Sequence, residues 1–109
     1  MSELDRLIHE PARLTIVALL SSVKEADFLY LLRETGLTKG NLSTHLVRLE
    51  EAGYVEIEKT FRGKIPLTIA RLSSEGKVAF QDYRQSMKDI LAPSKAPSRA
   101  RRVPVQLPT

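Results

Sequence analysis

Cysteine and tryptophan are both absent from the 109 residues. Without thiols there is no disulfide scaffold and no thiolate metal site, and the chain suits a reducing cytoplasm, where we expect it. Long apolar runs are missing too. The longest, residues 16–20, is far too short to span a bilayer, and the N-terminus carries no basic segment leading into an apolar stretch and a cleavage site. Glycine-rich phosphate loops, paired carboxylates and a nucleophile–base pair are also lacking, and a chain this short has little interior for a substrate pocket, so no enzyme is expected. Ser43 and His45 make no catalytic pair, because two positions apart on a helix they point in different directions. His9 and His45 stand alone, with no carboxylate pattern near either, so neither a metal nor another cofactor is predicted.

Charge is present but evenly balanced over most of the chain. The net charge of +4 comes entirely from Lys95, Arg99, Arg101 and Arg102; residues 1–91 hold thirteen basic and thirteen acidic side chains. The basic pI therefore says little about nucleic acid, and the placement of the charges has to decide. Residues 92–109 combine four prolines and four cations with no acid. That composition builds no core and reads as a flexible tail, either a solvated end or a basic arm adding non-specific DNA affinity. Residues 1–91 are expected to form one domain.

Within it, residues 4–20 read as helical in two pieces divided by Pro11, which suits the first turn of a helix. Asp27 is a good N-cap for the helix FLYLLRET, which stops at Gly36. Thr38 caps a third helix running to Gly53. At 100° per residue, Leu46 and Leu49 fall within about 40° of Leu42, while Gly40, Asn41, Thr44, Val47, Arg48 and Glu51 occupy the opposite arc. Residues 54–61 alternate as a half-buried strand, with Val55, Ile57 and Lys59 on one side and Glu56 and Glu58 on the other. Arg62-Gly63-Lys64 makes a tight tip, and residues 65–72 return, with Pro66 fitting an edge position. Ser73 or Ser74 starts a last helix, with Glu75 in its first turn and Phe80, Tyr83, Met87 and Ile90 or Leu91 recurring three or four apart.

Helix, glycine-containing turn and helix, followed by a basic hairpin, is the layout of a winged helix-turn-helix. Thr38 and Lys39 would lie at the start of the recognition helix, with Lys39 meeting phosphate. Asn41 can pair with adenine, Ser43 and Thr44 are short enough to let the backbone approach, and Arg48 can reach guanine or a phosphate. Gly40 weakens the helix, by about 1 kcal/mol against alanine, a loss explained by close packing against the preceding helix or against DNA. Lys59, Arg62 and Lys64 would hold flanking backbone or minor groove. His45, on the side of the helix, either touches phosphate or packs partly buried beside the first strand. Glu50, Glu51, Glu56 and Glu58 have to point aside.

The stretch LTKGNLSTHLVRLEEAGYVEIEKTFRGKIPLTIARLSSEGKVAF resembles the MarR/ArsR-type winged-helix transcriptional regulators in their short form. The resemblance covers about residues 5–91. It implies a mainly α fold with a small antiparallel β-wing (α+β) and an added C-terminal dimerisation helix. It also implies a homodimer on a palindromic operator, double-stranded DNA as partner, and action as repressor or activator. There is room for a small-molecule effector, though no residue pattern names one. The thiolate motif of metal-sensing members is absent. The stripe Phe80, Tyr83, Met87, Ile90 and Leu91 either closes the core or, with Leu4, Leu7 and Ile8, meets a second subunit; the second reading is preferred because the interior is too small to hide all of them. The competing class is a winged-helix module that docks proteins in a larger assembly.

Overall fold

The computed structural model describes residues 4–93. Seven elements follow in order: α1 (Pro11–Ser21), β1 (Ala26–Asp27), α2 (Phe28–Thr35), α3 (Lys39–Glu51), β2 (Val55–Arg62), β3 (Ile65–Leu72) and α4 (Ser74–Leu91). The caps are those the sequence predicts. Asp27, Thr38 and Ser73 each accept a backbone N–H from the first turn of the helix they precede, removing one orphaned donor apiece. Gly36 closes α2 in the left-handed region at φ 71°.

Before Pro11 the expected first helical piece is only a turn. Proline offers no N–H and disfavours helical backbone in the residue ahead of it; Glu10 is accordingly extended, and its carboxylate caps α1 by accepting the N–H groups of Ala12 and Arg13. The turn is held instead by Asp5, whose carboxylate accepts from Leu7 and Ile8, and by Arg13 Nε donating to the Leu7 carbonyl.

The sheet is antiparallel in the order β1-β3-β2. β1 escaped sequence reading because two residues cannot display alternation. It pairs Ala26 with Ala70 and Asp27 with Ile69, which makes β3 the central strand rather than an edge. Pro66 is tolerated there because β1 does not extend that far. Antiparallel pairs alternate, and with Arg62 and Ile65 bonded across the turn, the nitrogen of Pro66 points away from β2. Past β1 the β2–β3 hairpin continues as a free two-stranded ribbon, closed by Gly63 at φ 64°.

The core is one apolar cluster. Ile16, Val17 and Leu20 of α1 meet Leu31 of α2, Leu42, Leu46 and Leu49 of α3, and Ala26, Val55, Ala70 and Leu72 of the sheet. Three leucines from a single face of α3 thus anchor that helix, and its other face is left to solvent.

Candidate nucleic-acid interface

Anchoring by Leu42, Leu46 and Leu49 fixes which α3 residues face outward. Lys39, Gly40, Asn41, Ser43, Thr44, Val47 and Arg48 are all exposed. The side chain of Thr38 caps the helix by accepting from the Asn41 N–H at 3.1 Å, so its part in any interface is to set the helix start. Thr44 Oγ1 donates to the Gly40 carbonyl at 2.9 Å, leaving its lone pairs as acceptors. Apart from the adjoining residues and the backbone of its own helix, no atom of the described residues lies within 4 Å of a Cβ built on Gly40. Packing against the preceding helix therefore does not explain that glycine.

The cations expected at the interface are free. Among the described residues, Lys39, Arg48, Lys59, Arg62 and Lys64 take part in no ion pair. Glu58, which would repel DNA, is drawn to the outer face of the sheet by Arg71, whose Nη2 also reaches Glu25, at 2.7 and 3.0 Å respectively. Those two carboxylates hold the Arg71 guanidinium above its ordinary pKa, the bond to Glu58 acting first. Cations toward the interface therefore stay unpaired, while Glu58 and Glu25 are matched by Arg71. Glu50, Glu51 and Glu56 are exposed.

His45 turns away from this surface. Its Nδ1 lies 3.2 Å from Arg13 Nη1 and 3.7 Å from Glu10 Oε2, so it faces the start of α1 rather than a groove or the first strand. Because arginine only donates, that Nδ1 is the acceptor whenever the ring is neutral. Burial alone would raise the pKa of Glu10. The N–H groups of Ala12 and Arg13, with the charges of His45 and Arg13, outweigh it and hold the carboxyl below its usual value. His45 thus ties α3 to α1, a role that its place on the side of the helix did not reveal.

Of the residues expected at a subunit contact, two are already used up within one chain. Ile8 has no exposed surface, and Tyr83 retains 6%; the Tyr83 hydroxyl lies 2.8 Å from His9 Nδ1. Leu7 and Phe80 pack against the core cluster from its margin. Leu4 and Met87 are half-buried, and Ile90 and Leu91 are exposed. A groove along α4 is lined by Leu14, Phe80, Tyr83, Met87 and Leu91 together with the polar Gln81, Arg84, Gln85 and Lys88. The basic tail, from residue 94 onward, lies outside the described residues.

Val47, placed on the outward arc by the helical spacing, is 49% exposed there. Sequence pattern carried no such signal for two apolar side chains of the wing, Phe61 and Ile65, which stand open at the end of the hairpin. Alternation marks such residues as strand or helix members without saying that nothing covers them.

Comparison with known proteins agrees with this geometry. Residues 12–91 match the family described as a winged helix DNA-binding domain. An uncharacterized protein of Methanocaldococcus jannaschii is 38% identical over 79 residues, covering 72% of this chain and 85% of its own. Among solved structures, a transcriptional regulator homologue from Pyrococcus horikoshii OT3 superposes with a TM-score of 0.75 at 27% identity, over 79% of this chain and 85% of that one. A protein assigned to the MarR family from Enterococcus faecalis V583 gives a TM-score of 0.64 at 23% identity, over 78% and 76% of the two chains. At that identity the second likeness speaks for the fold alone.

Proposed function

Since the chain belongs to the winged helix DNA-binding domain family and is built as a DNA-binding regulator, we propose that it controls transcription as a homodimer reading double-stranded DNA in two half-sites. In this reading residues 38–52 lie in the major groove and residues 59–64 rest on the flanking backbone or minor groove. One observation carries it: among the described residues the arc of Asn41, Thr44 and Arg48 is open to solvent, beside a projecting hairpin whose three cations take part in no ion pair there. Asn41 offers the two-pronged amide suited to adenine, and Arg48 the fork suited to guanine or phosphate. Lys39 adds to the positive end of the α3 dipole, which favours a phosphate there.

Two copies are joined in this reading through the distal half of α4. Among the described residues from Arg84 onward only Ser86 and Met87 are even half-buried, and the groove beside Met87 and Leu91 has an apolar floor rimmed by Arg84 and Lys88, which suits an unfilled contact. A twofold contact there would carry two α3 helices to successive turns of one DNA face, about 34 Å apart.

Selection of bound sites from a random duplex pool tests the proposal directly. The expected result is an inverted repeat with half-site centres one helical turn apart. Recovery of no enriched sequence, together with no salt-dependent affinity for duplex DNA, would refute it in favour of a protein-docking module, which should show neither.

A further inference from the structure

Phe61 and Ile65 stand at the end of the wing with 67% and 68% of their surface in water. They bracket the Arg62-Gly63-Lys64 tip. The register sets Phe61 opposite Pro66 and Arg62 opposite Ile65. Side chains on a strand alternate between faces, so Phe61 and Pro66 share one face of the ribbon, while Ile65 and Arg62 share the other. Among the described residues both side chains stay open to solvent, and β1, whose pairing reaches only Ile69, leaves the edge of β3 free beside them. The acid nearest the tip on β2 is Glu58, and Arg71 already holds it.

Such a tip is apolar on both faces and cationic at its end. These side chains add nothing to the core, and water solvates them poorly. The DNA minor groove offers the complementary surface: deoxyribose walls and base edges between two rails of phosphate. Apolar side chains of this size are known to seat there and to loosen base stacking. We propose that Phe61 and Ile65 seat the wing in the minor groove, packing on sugars and base edges, while Arg62 and Lys64 hold the phosphates on either side. This rests on the DNA-binding reading above and adds to it a part of the affinity that does not depend on salt.

The separation of the two contributions is measurable. Wild type, the double variant Phe61→Ala/Ile65→Ala and the double variant Arg62→Ala/Lys64→Ala are titrated with random-sequence duplex DNA at stepped salt concentrations, after circular dichroism has shown the same unfolding midpoint for all three. The apolar variant should bind about 10-fold more weakly at every salt concentration, consistent with losing part of two apolar contacts, and keep the wild-type slope. The cationic variant should lose nearly two from the slope of log K on log salt, at about 0.9 per phosphate contact. Replacing guanine by inosine removes the one donor in the minor-groove floor. It should strengthen wild-type binding and leave the apolar variant unaffected. The inference is overturned if the apolar variant binds as wild type, if its loss follows the salt slope, if inosine affects both proteins equally, or if the substitutions instead change the oligomeric state, which would make the tip a contact between copies. Failure of wild type to bind duplex DNA at any salt concentration is a different outcome, refuting the DNA-binding reading itself.

Discussion

Alanine at Gly76 should unseat the start of α4. An ideal Cβ there lies 2.1 Å from the Tyr54 carbonyl oxygen, 2.9 Å from its carbon and 3.0 Å from Leu72 Cδ1. The leucine can rotate away, but the carbonyl is pinned. It accepts the Ser73 N–H at 3.0 Å, the Tyr54 N–H donates to Leu49 at 2.9 Å, and Ser73 Oγ donates to the adjoining Gly53 carbonyl at 2.6 Å. Reaching ordinary contact requires a retreat of more than about 1 Å. That movement breaks the Ser73–Tyr54 bond, costing about 0.5–1.5 kcal/mol, and adds strain of the kind that overpacking generates, about 1–3 kcal/mol. The better helix propensity of alanine returns about 0.8–1 kcal/mol. The net loss is then roughly 1–3 kcal/mol, and at about 4–8 °C per kcal/mol the midpoint falls by roughly 10 °C. Urea denaturation followed by far-UV circular dichroism measures it, at one fixed protein concentration because the proposed self-association would stabilise by mass action. A Gly76→Ala protein as stable as wild type would show that α4 reseats freely, and the reasoning from the carbonyl contact would be wrong.

Gly40→Ala provides the contrast: with open space around the site it should stabilise the fold by up to about 1 kcal/mol while weakening DNA binding, and tighter binding would show that no backbone approaches there. Arg48→Ala should lower affinity for the selected site by more than about 1 kcal/mol, whereas Lys64→Ala should weaken all duplexes alike and reduce the salt slope, both read by fluorescence anisotropy. The hydrogen bond to Asp5, with burial second, pushes the pKa of Tyr54 up to about 12. A folded-state value above the unfolded one near 10 means stability fully present below about pH 10 and lost as pH rises through 12. Tyr54→Phe should therefore flatten the alkaline stability profile in that window, and an unchanged profile would rule out the Asp5 bond as its cause. Leu91→Glu places a charge on an exposed apolar residue; sedimentation should show a monomer with unaltered helicity, and an intact dimer would move the contact elsewhere.

How far the sequence could be read follows from the range of the forces involved. Local chemistry was plain: Asp27, Thr38 and Ser73 cap helices, Gly36 and Gly63 take positive φ, and the Leu42-Leu46-Leu49 spacing orients α3, all through contacts within a few residues. What escaped depends on partners far along the chain. β1 exists because two residues find Ala70 and Ile69, more than forty positions away. His45 faces α1 because Arg13 and Glu10 are there, a pairing across 32 positions that no helical wheel contains. Tyr83 shares a periodic stripe with Met87 yet is withdrawn by His9, since periodicity marks a face without saying what meets it. The tip residues Phe61 and Ile65 follow the same rule in reverse, reading as strand members while the fold leaves them uncovered.

Charge placement along α3 also limits how that helix can approach DNA. Its first turn contains no acid, and Lys39 there adds to the half positive charge of the helix N-terminus. Its last turn carries Arg48 together with the exposed pair Glu50 and Glu51, beside the negative end of the same dipole. Both effects favour phosphate at the beginning of the helix. Arg48 stands one turn beyond Thr44 on the same outward arc, the one cation of that last turn. In the proposed approach the N-terminal half of such a helix would lie deep in the groove and its last turn shallower, with Glu50 and Glu51 in solvent. On the wing, Arg62 and Lys64 stand at the tip while Glu56 and Glu58 lie nearer its root, which favours the same tilt. Residues 1–91 carry no net charge, so Lys39, Arg48, Lys59, Arg62 and Lys64 are matched in number by acids elsewhere in the domain, and composition alone hides their grouping on α3 and the wing.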